Sequence, residues 1–147
     1  MTVQRLEHIG VVVDDLEAAT AFFVALGLEV EGDASVEGRL VDRINGLEGV
    51  RADVVILRVG GPDSGSALEL VKYRSPPYEG DVAPAPANAP GIRHILFVVD
   101  DIEASLAALQ AQGGELAGEL VNYEDSYWLC YVRGPAGIIV ELAEKIG

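Results

Sequence analysis

Two short runs, "LEHIGVVV" ending at Val13 and "RHILFVV" ending at Val99, are rich in β-branched residues and too short for a helix, so each predicts a strand. Side chains alternate along a strand. Ile9, Val11 and Val13 therefore share one face and His8, Gly10 and Val12 the other, while Ile95, Phe97 and Val99 alternate with His94. Each run ends at an aspartate pair, where the apolar period lengthens. Leu16, Ala19, Phe23 and Leu26, then Ile102, Leu106 and Leu109, recur at helical spacing. Asp14 with Glu17, and Asp100 with Glu103, are predicted to cap these helices as acidic variants of the capping box, and Gly27 and Gly113 to end them. Further strands are predicted near 28–36, 52–59 and 67–73, then 116–123, 127–132 and 138–143. The order in each half is βαβββ.

The halves are copies. "HIGVVVDDLEA" from His8 and "HILFVVDDIEA" from His94 agree at eight of eleven positions, 86 residues apart, and Gly27 falls on Gly113 at the same offset. "SALELVKY" and "GIIVELAEK" are a weaker echo, each with Glu-Leu at its centre. Arg74 to Gly91 holds five of the seven prolines and no regular pattern, which predicts a semi-extended joint. Module one is then 1–73, the linker 74–91 and module two 92–147, within one domain. "LVDRINGLEG" is extra in the first half and is predicted as a short helix and loop; 43–59 is a candidate lid.

Composition narrows the partners. The 147 residues are half apolar and can build a real core. The net charge of −14, from 24 acids and 10 bases, disfavours nucleic acid and anionic membrane. A lone Cys130 excludes an intrachain disulfide, a zinc-finger spacing and a CxxC motif. With no signal-peptide pattern and no apolar run near ~20 residues, a cytoplasmic protein is expected.

Strand parity then selects the chemistry. Leu68 and Leu70 flank Glu69, and Val140 and Leu142 flank Glu141. Each half thus offers one histidine at the start of its first strand and one glutamate within its last, both facing away from the helices. A strand-edge histidine is most often structural, and duplication can copy it. The glutamates carry more weight, because a carboxylate among apolar neighbours must be paired, exposed or metal-bound. The aspartate pairs are sufficiently explained by capping, and Gly134, Pro135 and Gly137 by a tight turn with no helix behind it to cradle phosphate.

Over nearly the whole chain, the repeated "HI" followed by "VDD", the "LEL" strand and the "GPAGIIVEL" ending resemble the vicinal oxygen chelate superfamily. The resemblance implies an α+β fold of two tandem βαβββ modules whose curved mixed sheets form a cupped half-barrel around a metal site. It places the ligands on His8, Glu69, His94 and Glu141. Two imidazoles and two carboxylates form a neutral shell for one divalent ion, whether zinc, nickel, cobalt, iron(II) or manganese, with room left for a substrate oxygen. Such an ion stabilises the enediolate formed when a proton leaves the carbon beside a carbonyl. The resemblance therefore implies a glyoxalase-like or epimerase-like isomerase or lyase acting on a small carbonyl compound, with Glu141 or Glu69 as base. The alternative is a small-molecule or drug-binding resistance protein of the same fold; the full quartet counts against an extradiol dioxygenase. The family commonly dimerises, which implies a homodimer. Arg43, Arg58, Arg74 and Arg133 are candidates for the mouth of the site, and Tyr73 with one of Tyr127, Trp128 and Tyr131 for its border.

Overall fold

The computed structural model describes residues 1–61, 65–81 and 84–147, so part of the proline-rich linker, 82–83, lies outside the described residues. The elements are β1 (His8–Val12), α1 (Leu16–Leu26), β2 (Glu29–Glu37), α2 (Arg39–Asn45), β3 (Arg51–Arg58), β4 (Ala67–Ser75), β5 (His94–Val98), α3 (Ile102–Ala111), β6 (Glu115–Leu116), β7 (Val121–Tyr123), β8 (Tyr127–Arg133) and β9 (Ile139–Lys145), with a 3-10 turn at Pro135–Gly137. This is a mixed α+β fold in two compact units, Met1–Asp81 and Val82–Gly147.

In the first unit the strand order is β1-β4-β3-β2. β1 runs parallel to β4 and the other pairs are antiparallel. α1 packs on β3 and β4. Its Ala19, Phe22 and Phe23 meet Val11, Leu57, Leu68 and Leu70 in a core from which water is excluded. The burial alternates as β1 requires: Val11 and Val13 are buried and His8, Gly10 and Val12 exposed. Phe22 joins the core beside Phe23, with the rings edge-on at 5.2 Å, although the helical spacing selected only Phe23.

The second unit repeats this plan as β5-β9-β8-β6, with β7 also on β8, and β5 parallel to β9. α3 packs on β8 and β9, with Ile102 and Leu109 buried against Val132, Val140 and Leu142. The strand expected over 116–123 is broken into β6 and β7. Gly118 between them has φ 104°, a conformation open to glycine and incompatible with a continuous strand.

Both helix caps fall one residue later than expected. Asp15 accepts the amide of Ala18, and Asp101 that of Ala104, each at 3.0 Å. Asp14 and Asp100 remain in the turn. A second carboxylate, Glu144 on β9, takes the Ile102 amide at 2.8 Å and so ties α3 to its sheet. Gly27 ends α1 in the left-handed conformation, and Gly113, with φ 91°, follows the end of α3.

The insertion does contain a short helix, α2, but 43–59 is not a lid. Its latter part is β3, paired on both sides within the sheet. The rest is pinned: the Asp42 carboxylate takes the amides of Gly49 and Val50, the Tyr73 hydroxyl donates to Asn45 at 2.8 Å, and the Ser75 hydroxyl donates to the Gly49 carbonyl at 2.6 Å.

Candidate metal centre

The helix-free face of each sheet, called here the open face, carries the candidate ligands. Parallel pairing sets His8 opposite Ala67 and Gly10 opposite Glu69, so His8 and Glu69 are diagonal neighbours on adjacent strands. The second unit repeats the diagonal, with His94 opposite Ile139 and Leu96 opposite Glu141. His8 Nε2 stands 3.2 Å from Glu69 Oε2, and His94 Nε2 stands 3.5 Å from Glu141 Oε1. Ligand atoms bound at about 2.0–2.2 Å to one tetrahedral or octahedral ion lie roughly 3.0–3.6 Å apart. Both pairs have that spacing.

His8 adds a stronger argument. Its Nδ1–H donates to the carboxylate of Glu7. A neutral ring whose proton sits on Nδ1 turns an Nε2 lone pair toward the Glu69 oxygen, an arrangement that repels unless a cation lies between them. A proton can fill that place, and so can a metal ion. The Glu7 hydrogen bond, above all, raises the His8 pKa against the opposing effect of burial, with the Glu69 charge adding to the rise, and the bond to His8 lowers that of Glu7. A carboxylate behind a histidine is also how metal sites fix the tautomer and the ring orientation.

The second pair is held differently. The ring of Tyr131 lies 5.3 Å from that of His94, tilted by 33°, and Tyr131 pairs with Glu141 across the sheet. Tyr127 shares this face, whereas Trp128 pairs with Glu144 on the helix side. The glutamate side chains are 28% and 14% exposed at 69 and 141, against 42% and 45% for the histidines. The carboxylates sit within the sheet and the rings at its rim.

Among the described residues no three His, Cys, Asp or Glu side chains are gathered closely enough to hold a metal ion. Each unit brings together one His–Glu pair across adjacent strands. Two donors leave a divalent ion unsaturated, so neither pair by itself completes a metal site.

Of the four arginines considered for the mouth, Arg58 lies on the open face and donates through Nε to Glu31. Arg74 Nε is 3.3 Å from Asp53, and Arg133 Nη1 donates to the Ala85 and Gly137 carbonyls at 2.6 and 2.9 Å. Arg43 is exposed on α2. Tyr73 is on the same face of β4 as Glu69, two places beyond Val71. Glu7 was missed in the sequence. The only signal was a carboxylate immediately before a candidate ligand histidine, where the second repeat has Arg93.

Two sheets, each presenting a histidine on its first strand and a glutamate on its last, define a duplicated βαβββ protein. The family comparison agrees: residues 7–131 match the Glyoxalase/Bleomycin resistance protein/Dioxygenase superfamily, and the chain belongs to it. It is similar, at 39% identity and a TM-score of 0.93 over 100% of this chain and 97% of the other, to a glyoxalase family protein of Bacillus cereus. It is 25% identical to the uncharacterized protein YaeR of Escherichia coli over 97% of both chains. The Leishmania major glyoxalase I, at 22% identity and a TM-score of 0.64 over 97% of this chain and 87% of that one, shares the fold. No helix among the described residues is long and apolar enough to cross a membrane.

Proposed function

We propose that this protein is a divalent-metal-dependent isomerase or lyase that moves a proton on the carbon next to a carbonyl, with His8, Glu69, His94 and Glu141 as the metal ligands. The observation that carries the reading is the duplicated His–Glu diagonal at ligand-to-ligand spacing. The donor set fits zinc, nickel, cobalt, iron(II) or manganese. When bound, the ion supplies Lewis-acid polarisation of a carbonyl oxygen, which acidifies the neighbouring C–H. The chain's own contribution is the base: a carboxylate oxygen of Glu141 or Glu69 takes the proton and returns it to the substrate. His8, held by Glu7, fixes its half of the ligand set. The two modules are read as one domain. The working form is a homodimer in a reducing cytoplasm, a reading that rests on the edges of β1 and β2, unpaired among the described residues, and on the single cysteine.

The test is metal analysis of the purified chain, combined with exchange of substrate C–H protons in heavy water across keto, hemithioacetal and thioester compounds. Wild type should bind about one divalent ion per ligand quartet and catalyse exchange. Of Glu141→Gln and Glu69→Gln, the variant lacking the base should keep the metal and lose exchange by at least about a hundredfold, the low end for a general base. Absence of metal binding, or exchange intact in both variants, overturns the reading. The competing view, a ligand trap, draws on the exposed Leu96 and Val98 beside His94; it predicts tight ligand binding that a chelator leaves unchanged.

A further inference from the structure

The ligand histidines belong to a longer repeated line. Across the first sheet, His8 stands opposite Ala67, Ala67 opposite Arg58 and Arg58 opposite Glu29. Across the second, His94 stands opposite Ile139, Ile139 opposite Arg133 and Arg133 opposite Glu115. Each open face therefore carries an arginine two strands, or roughly 10 Å, from its histidine. A protein with net charge −14 has placed one of its ten basic residues on each of these lines.

The two arginines have different occupations. Arg133 is bound to backbone, through the Ala85 and Gly137 carbonyls, and holds the 84–85 segment beside the 3-10 turn. Among the described residues, Arg58 hydrogen-bonds only to the Glu31 carboxylate, which is half exposed, with the Glu7 charge a lesser attraction beside it. Glu31 is the extra residue of a β-bulge: the β2–β3 register skips it between Val30 and Gly32. A bulge frees a residue from the ladder and re-aims its side chain, and bulges concentrate beside active sites. Next along the same face come Glu69, then Ile56, Val54 and Val71, so the guanidinium stands at the charged end of an otherwise apolar floor. Its planar fork suits a carboxylate or phosphate bidentately.

We infer that Arg58 is a specificity-determining residue that binds an anionic group of the substrate, a carboxylate or phosphate several bonds from the reacting carbonyl, in exchange for Glu31. The inference rests on the proposed metal site and names its substrate class: an anionic carbonyl compound. Glu31 neutralises the guanidinium in the free protein and gives it up when the substrate anion arrives. Such a local cation is needed because the field of the whole molecule opposes an anionic ligand.

The experiment titrates the zinc- or nickel-loaded full chain with hydroxamates, which chelate through two neighbouring oxygens. The probes carry a terminal carboxylate on linkers of graded length, and each is compared with its methyl ester; a phosphate-ended series distinguishes the two anions. Wild type should prefer the acid over the ester by tenfold or more at one linker length. Arg58→Gln should abolish that preference while metal content and ester binding are unchanged, and Arg58→Lys should restore part of it. Glu31→Ala should strengthen acid binding several-fold, which a merely structural ion pair would not do. A preference that persists in Arg58→Gln, falls equally in the remote Arg39→Gln, or weakens in Glu31→Ala overturns the inference. If neither acid nor ester binds, or the chain takes up no metal, the metal-site reading itself fails and this inference falls with it.

Discussion

Glu7 and Arg93 stand at equivalent places in the two halves, each immediately before an open-face histidine, with opposite charges. Glu7 accepts the Nδ1–H of His8, while the Arg93 guanidinium folds back over Gly91, where an added Cβ would lie 3.0 Å from Nη2. The duplicated histidines thus stand in unequal surroundings. Glu7→Gln should weaken divalent-metal binding by about 10–100-fold, the usual effect of losing a carboxylate behind a ligand histidine. Arg93→Gln should leave it within about threefold. Competition against a colorimetric chelator reads both.

The same contact sets a pH dependence. In the metal-free protein His8 should titrate above the ordinary imidazole value, and Glu7→Gln should bring it down. A raised His8 pKa and a lowered Glu7 pKa mean that the His8–Glu7 contribution to stability is present between the two titrations, lost as pH rises through the His8 value and lost again as pH falls through that of Glu7. Metal affinity runs the other way, falling as pH drops through the His8 value, because the proton competes for Nε2. Histidine NMR titration with and without zinc checks both signs.

The helix caps separate the two aspartates of each pair. Asp15→Ala and Asp101→Ala should each cost about 1 kcal/mol, because each leaves an N-terminal amide without its side-chain acceptor. Asp14→Ala should be nearly silent, because Lys72 bonds to the backbone carbonyl of that residue and not to its side chain. Urea denaturation of the four single variants, with Asp100→Ala as the fourth, decides the assignment.

Cys130 is buried in the second sheet. Burial, followed by the nearby Glu141 charge, pushes its thiol pKa up. It should resist alkylation in the native protein at pH 8 by at least about tenfold relative to the unfolded chain, since the thiolate is the reactive form. With a folded pKa above the unfolded one, stability should also fall as pH rises past the ordinary thiol range. Rates of labelling with a disulfide reagent across pH 7–10 read the first effect, and denaturation at the same pH values reads the second.

What the sequence made legible was whatever depends on period. Alternation alone put Val11 and Val13 in the core and His8 on the open face, and the same parity brought Glu69 and Glu141 to that face. Decisions resting on one residue of local geometry were not legible. Asp14 and Asp15 are chemically alike, and only the angle at which the chain enters α1 selects the second as cap. Gly118 breaks a run that reads as a single strand, because nothing in its neighbours announces a left-handed turn. The Glu7–His8 contact joins adjacent residues, for which periodic patterns carry no information. The bulge at Glu31 is a register event, visible only once β2 is paired with β3.

The parallel pairing of β1 with β4 has a consequence for how such a protein diversifies. His8 and Glu69 are far apart in the chain, yet their diagonal is fixed by one ladder between the first and last strands of the unit. Everything that intervenes, including α2 with its exposed Leu40 and Ile44, leaves that ladder from one end and returns to it from the other. Segments there can lengthen, shorten or change composition while the two donor atoms keep their separation. Selection can therefore retune what surrounds the pair without re-evolving the His–Glu geometry.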